Sequence, residues 1–168
     1  MFVYIKHVFF GEYQTQWMLN IFKFFQVGFC HISPLKNPFL NIFFWSLNLS
    51  LTKTSSFFKS AHPEDDSGTY FNYETGQDLA QSTSYQRISI AISNNADASC
   101  AGTLNLFNPS DTTYVKHFIA NTHNEQGGGF ATNNFIAGYG NTQNAVNAIS
   151  FQVNTGTFDG TIQMFGIL

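Results

Sequence analysis

Residues 145–168 read AVNAISFQVNTGTFDGTIQMFGIL, and the fold turns on this stretch. Ile149, Phe151 and Val153 alternate with Ser150, Gln152 and Asn154. The following Asn-Thr-Gly-Thr-Phe-Asp-Gly of residues 154–160 is rich in turn formers, and Thr161, Ile162, Gln163 and Met164 then alternate again. Period-two alternation on both sides of a Gly/Asn/Asp connection predicts two antiparallel strands, each with one buried face. The connection is about seven residues long, longer than the two-residue loop of a tight hairpin. The second strand is expected to close the sheet and not to trail as a tail.

Upstream, residues 49–144 continue the pattern. Residues 49–61, LSLTKTSSFFKSA, lack Gly and Pro and are dense in Thr, Ser and Phe, so a strand is expected. Residues 62–68, HPEDDSG, read as a turn, residues 69–73 as a short aromatic strand, and residues 75–83 as a helical turn or an irregular crossover. Residues 85–93 carry the clearest alternation, with Ile88, Ile90 and Ile92 on one face and Arg87, Ser89, Ala91 and Ser93 on the other. Residues 100–107, 112–120 and 130–138 read as further strands, with Asn108-Pro109-Ser110-Asp111 as a turn and residues 121–129 as a loop ending in three glycines. About eight short strands with turn signals between them predict an all-β, antiparallel β-sandwich of jelly-roll-like form. No amphipathic helical period supports an α/β alternative, and no repeat suggests a solenoid. The expected core is Ile88, Ile90, Leu104, Leu106, Ile149, Phe151, Ile162 and Met164.

Composition divides the chain at residue 48. Residues 1–48 hold both Trp, half of the 20 Phe, and Lys6, Lys23 and Lys36 against Glu12. That gives +2 in the front and −5 in residues 49–168, for a net charge of −3. The two-part reading is an atypical aromatic-rich segment over 1–48, irregular or helical, and a β-sandwich domain over 49–168. The apolar pieces 17–30 and 39–51 are interrupted by polar residues, and Pro34, Lys36, Asn37 and Pro38 separate them. Neither reaches the roughly 20 apolar residues of a spanning helix, no A-x-A-like cleavage site follows, and no clean polar face marks an interfacial helix. The composition therefore argues against a membrane role. Phe, Ile, Lys and Asn also have AT-rich codons, so translation of AT-rich DNA outside the selected frame is a second reading, under which 1–48 lies outside the native fold.

Chemistry is sparse. Seven basic residues are scattered, so no nucleic-acid footprint is expected. Cys30 and Cys100 are far apart and read as isolated reduced thiols, with no CxxC and no metal spacing. His117, His123 and Glu125 are candidate metal ligands, with solvated surface groups as the plainer reading. His62, Glu64, Asp65 and Asp66 are a candidate calcium loop, with a solvated acidic turn as the plainer reading. Cys100 with His117 as nucleophile and base has no support in spacing. Gly127-Gly128-Gly129 precedes a strand, not a helix, so a loop is expected in place of a phosphate cradle. No catalytic, cofactor-binding or metal-binding residue is assigned, no cofactor is expected, and the reading is non-enzymatic.

The segments LTKTSSFFKSAHPEDDSG, TGQDLAQSTSYQ, GTLNLFNPSDTTYVKHFIA and FIAGYGNTQNAVNAISFQVNTGTFDGTIQMFGI resemble a family of small virion proteins of tailed phages, found in marine and environmental phage sequences. The marks are Thr52-Lys53-Thr54 with Phe57-Phe58, the Leu106-Phe107-Asn108-Pro109-Ser110 turn, Tyr114 with Lys116-His117-Phe118, and the ending 160–167. The resemblance covers residues 49–168. It implies a β-sandwich and a structural protein of the virion, tail- or fibre-associated, that packs against other virion proteins or copies of itself. It supplies no catalytic residues, and residues 1–48 do not match the family's front half. The alternative function is a lectin-like module for host-surface glycans, with Tyr70, Tyr73, Tyr85, Tyr114 and Tyr139 as candidate contacts and structural tyrosines as the plainer reading.

Overall fold

Alternating side chains, not long apolar runs, dominate the sequence, and the elements they form are strands. The computed structural model describes residues 2–3, 8–10, 15–18, 24–35, 40–44, 51–93, 95, 97–146, 148–153 and 157–167; before residue 51, and at 148, 152–153, 157–159 and 167, it describes the backbone only. The strands are β1 (Phe2–Val3), β2 (Val8–Phe10), β3 (Thr15–Met18), β4 (Phe24–Leu35), β5 (Leu40–Phe44), β6 (Lys53–Pro63), β7 (Tyr70–Tyr73), β8 (Gln86–Ile92), β9 (Cys100–Phe107), β10 (Lys116–Gln126), β11 (Phe130–Gly140), β12 (Ala148–Val153) and β13 (Thr157–Ile167). All pairings are antiparallel. The all-β antiparallel expectation holds.

Three strands in lockstep form the frame. β10 and β11 pair from Lys116↔Gly140 to Gln126↔Phe130, and β6 pairs with β11 from Lys53↔Gly140 to Pro63↔Phe130. The hairpin between β10 and β11 closes on Gly127-Gly128-Gly129, where Gly128 and Gly129 take φ of 95° and 73°. That left-handed backbone is open to glycine at little cost, which explains the last two of the three glycines. β9 extends the sheet on the other side of β10, from Phe118↔Leu106 to Asn124↔Cys100. β4 then lies between β9 and β13, with Val27 opposite both Leu104 and Met164.

The sheet curls back on itself at β10. Gln126 bridges to Ile92, and Ser93 N donates to Glu125 O at 3.0 Å. From there the order runs β8, β5, β12, β3, and β8 lies over the inner face of β10: Asn124 Nδ2 donates to Ile90 O at 3.2 Å and Thr122 Oγ1 to Ile88 O. Phe57, Leu104, Leu106, Phe118 and Ile136 meet Ile88, Ile90, Ile149 and Phe151 in one core. All eight expected core residues are buried. At Gly138 the close approach is steric. A Cβ there would come within 2.7 Å of the tip of the Phe118 ring and 2.6 Å of the Thr54 carbonyl oxygen, so glycine lets that ring approach β11 this closely.

Several local expectations are corrected. The described parts of the front are strands, not irregular or helical, because β9 and β13 each present a row of backbone N–H and C=O groups that β4 pairs. The second side of β6 carries β7, from Phe58↔Tyr73 to Ala61↔Tyr70, and the crossover 74–82. There Glu74 N donates to Phe57 O, Ser55 N to Leu79 O, and Lys53 and Ser82 exchange bonds. Residues 121–126 are strand, not loop. The strand expected from residue 112 begins at Lys116, because the Asp111 carboxylate accepts the backbone N–H groups of Thr113 and Tyr114 at 2.6 and 2.8 Å and holds a turn. Finally, Ser89 and Ser93 are buried with the isoleucines. Ala91 takes φ of 55°, and the β5–β8 register shifts twice, so bulges break the simple alternation of β8.

Candidate functional site

Each frame strand shows one face to the core and one outward. On the outer face, Thr54, Tyr139, His117 and Phe107 form one cross-strand row, and Ser56, Ala137 and Ile119 form the next. Between the rows runs an open groove of about 610 Å³, with Ala137 and Gly138 in its lining. Its floor stays low because the outward-facing Ala137 carries only a methyl and Gly138 contributes backbone alone. The groove meets a second hollow of about 460 Å³ at the Phe107–His117 pair, lined further by Asn108, Thr113, Tyr114, Val115 and Gln143. Tyr114, 70 % exposed, stands at that rim. The His117 and Tyr139 rings lie 6.2 Å apart. Among the described residues, no Asp, Glu, Lys or Arg lines either hollow.

The next outer row is aromatic. Phe58 stands opposite Phe135 on β11 and Tyr73 on β7. The Phe58 ring meets Tyr73 edge-on at 4.9 Å and stacks on Phe71 at 5.8 Å. Phe71 is 68 % exposed and Phe135 39 %, and Ile119 beside them is 49 % exposed. Tyr73 donates its hydroxyl to Asp78 at 2.7 Å, which holds the phenol above its ordinary pKa by favouring the neutral form. β7 pairs with β6 alone among the described strands, and all four of its residues are exposed. Phe58, Phe71, Phe135 and Phe107 were absent from the sequence-derived candidates. A signal exists: in Phe57-Phe58 and Phe135-Ile136, adjacent large residues on a strand cannot both face the core.

The candidate clusters do not converge. His117, His123 and Glu125 all lie on β10 and point outward, but His117 is about 20 Å along the strand from His123. His62 Nε2 lies 3.1 Å from Asp66 Oδ1, Asp65 accepts the Ser67 N–H, and Glu64 packs towards Gly129. The Ser67 side chain, and after it that N–H bond, hold the Asp65 carboxyl below its ordinary pKa. Among the described residues no three His, Cys, Asp or Glu side chains gather as metal ligands. Cys100 is a free thiol buried on the inner face, and His117 is exposed on the outer face at the other end of the strands. They cannot act as a pair. Burial pushes the Cys100 thiol up to about 11, against the hydrogen bond to Ser89. The side chain of Cys30 lies outside the described residues. Of the five candidate tyrosines, Tyr114 and Tyr139 reach the grooves, Tyr70 and Tyr73 sit on β7, and Tyr85 is half-buried against Ser150.

The inner face carries unexpected polar groups. Asn124 Oδ1 accepts from Ser89 Oγ and from Asn134 Nδ2, both at 3.0 Å, and Asn134 Nδ2 also reaches Thr122 Oγ1 at 3.2 Å. At the other end Lys53 and Lys116 flank Gly140, both buried, with Nζ atoms donating to the carbonyls of Leu51 and Tyr114. Burial pulls the Lys53 ammonium down to about 8 and lowers Lys116 also, where Asp111 opposes the shift. Among the described residues no helix is long and apolar enough to cross a membrane. Comparison of the chain with family models, curated proteins and solved structures found no match.

Proposed function

We propose that this chain is a non-enzymatic structural protein of a phage particle, tail- or fibre-associated, whose outer sheet face packs against copies of itself. The observation that carries the packing is the aromatic row on β7, β6 and β11, where Tyr73, Phe58 and Phe135 stand side by side and Phe71 projects beyond them. Contiguous exposed aromatic surface marks protein contact surfaces, because burying it between chains removes apolar area from water. The virion assignment rests on the resemblance across residues 49–168. It is tested by mass spectrometry of gradient-purified particles from a culture expressing the gene. The chain should appear at a stoichiometry fixed relative to other particle proteins; its absence would refute the assignment. A second reading, a carbohydrate-binding module for host-surface glycans, rests on the neighbouring rows of the same outer face, the groove beside Tyr139.

A further inference from the structure

We propose that the outer groove binds a neutral oligosaccharide, with Tyr139 as the stacking surface, His117 beside it, and Asn108, Thr113 and Gln143 as hydroxyl partners at the rim. The inference deepens the carbohydrate reading and stands apart from the proposed packing through Phe71.

Three features of the groove select this ligand class. First, it joins ring faces to amide and hydroxyl groups in one trough. A pyranose has the matching two-sided chemistry. Its face of C–H bonds carries partial positive charge and lies on the negative face of an aromatic ring, while its hydroxyls both donate and accept. Amides and hydroxyls can meet hydroxyls in either role. Second, among the described residues of the lining there is no carboxylate, ammonium or guanidinium. An acidic sugar would surrender the hydration of its charge with no cation to receive it, so a neutral sugar is favoured. Third, the two hollows join at Phe107 and His117 and hold about 610 and 460 Å³, each within the range of a small-ligand site. A ligand of two or more rings would lie along the sheet face and turn over the Phe107–His117 saddle towards Tyr114. With no carboxylate pair in the lining, the groove binds without the acid and base that glycoside cleavage needs.

The purified full chain is applied to a microarray bearing neutral glucans, galactans and mannans beside sialylated and uronic-acid glycans. Binding to neutral glycans is expected. Tyr139→Ala and Ala137→Arg, the second filling the floor from an exposed strand position, should each weaken it about tenfold or more. Phe71→Ser, on β7 and outside the groove lining, should leave it unchanged. Thermal unfolding of each variant shows whether it folds, and if Tyr139→Ala does not, Ala137→Arg and the exposed Tyr114→Ala decide. Binding confined to acidic glycans, or neutral binding lost in Tyr70→Ala or Tyr73→Ala but kept in the groove variants, would overturn the groove assignment while leaving a carbohydrate module intact. Silence across the array would overturn both, and would leave the proposed packing untouched.

Discussion

The two faces of β10 and β11 share the same strands and the same alternation, yet their polarity is partly inverted. The inner face buries Lys116, Thr122, Asn124, Thr132 and Asn134 beside Phe118 and Ile136. The outer face exposes Ile119 and Phe135 beside Asn121 and His123. Hydrophobicity alone would place several of these on the wrong side. Thr122, Asn124 and the Asn134 amide nitrogen are tolerated because they are bonded to one another, to Ser89 and to the carbonyls of β8, while the buried Asn134 Oδ1 has no hydrogen-bond partner among the described residues. Buried polar atoms cost little when paired and a great deal when not. The outer apolar groups meet no covering layer of described chain, which is why they serve a surface function in this account. What decides the faces is the layer that covers them, not the residues taken singly.

The largest test of this contrast is Phe118→Ala. Its ring lies against Gly138 in the core, and its loss should cost about 3–5 kcal/mol in urea unfolding. The outer neighbour Phe135→Ala should cost under about 1 kcal/mol. Equal losses at both positions would break the distinction between faces. The polar network comes next. Asn124→Ala strips partners from Ser89, Asn134 and Ile90 O together. It should destabilise by about 2–4 kcal/mol despite removing a polar side chain from a core. A neutral or stabilising result would show that the network carries no weight.

Lys53 sharpens the same point through pH. Its folded pKa of about 8 lies below the ordinary 10.5. Between those values the unfolded chain binds more protons, so stability rises with pH across that window, and the penalty for the buried ammonium is fully present below pH 8. Lys53→Met removes the penalty and gives up the bond to Leu51 O. The variant should be more stable than wild type at pH 7, by on the order of 2 kcal/mol, with the advantage fading as pH approaches 10.5. An advantage that does not change with pH would mean that Lys53 titrates normally.

Much of the sheet was legible in the sequence because period two is a local signal. β9 was read to the residue, and β6, β7, β8 and β11 to within a few residues at either end. The misses have particular causes. The second half of β10 reads as a polar loop, Asn121-Thr122-His123-Asn124, because its inward residues are Thr and Asn satisfied by a strand far away in sequence. The bulges of β8 depend on pairing with β5, which no local pattern announces. Residues 1–48 keep neither helix nor strand period for long, so β4 and β5 left no local trace. At the candidate site, Tyr114 and Tyr139 could be named as exposed aromatics, but their meeting with Phe107 and His117 required the register between β9, β10 and β11.

The smallest effect on folding should accompany the largest effect on association. Phe71 projects from β7, stacked only on Phe58 among the described rings. Sedimentation equilibrium of wild type and Phe71→Ser, paired with urea unfolding of each, tests whether the outer face exists for contact. Wild type should self-associate below about 100 µM, and Phe71→Ser should weaken that association about tenfold or more, while unfolding free energy changes by under about 0.5 kcal/mol. A wild type that stays monomeric across that range, or a variant that loses stability while associating as before, would contradict the account.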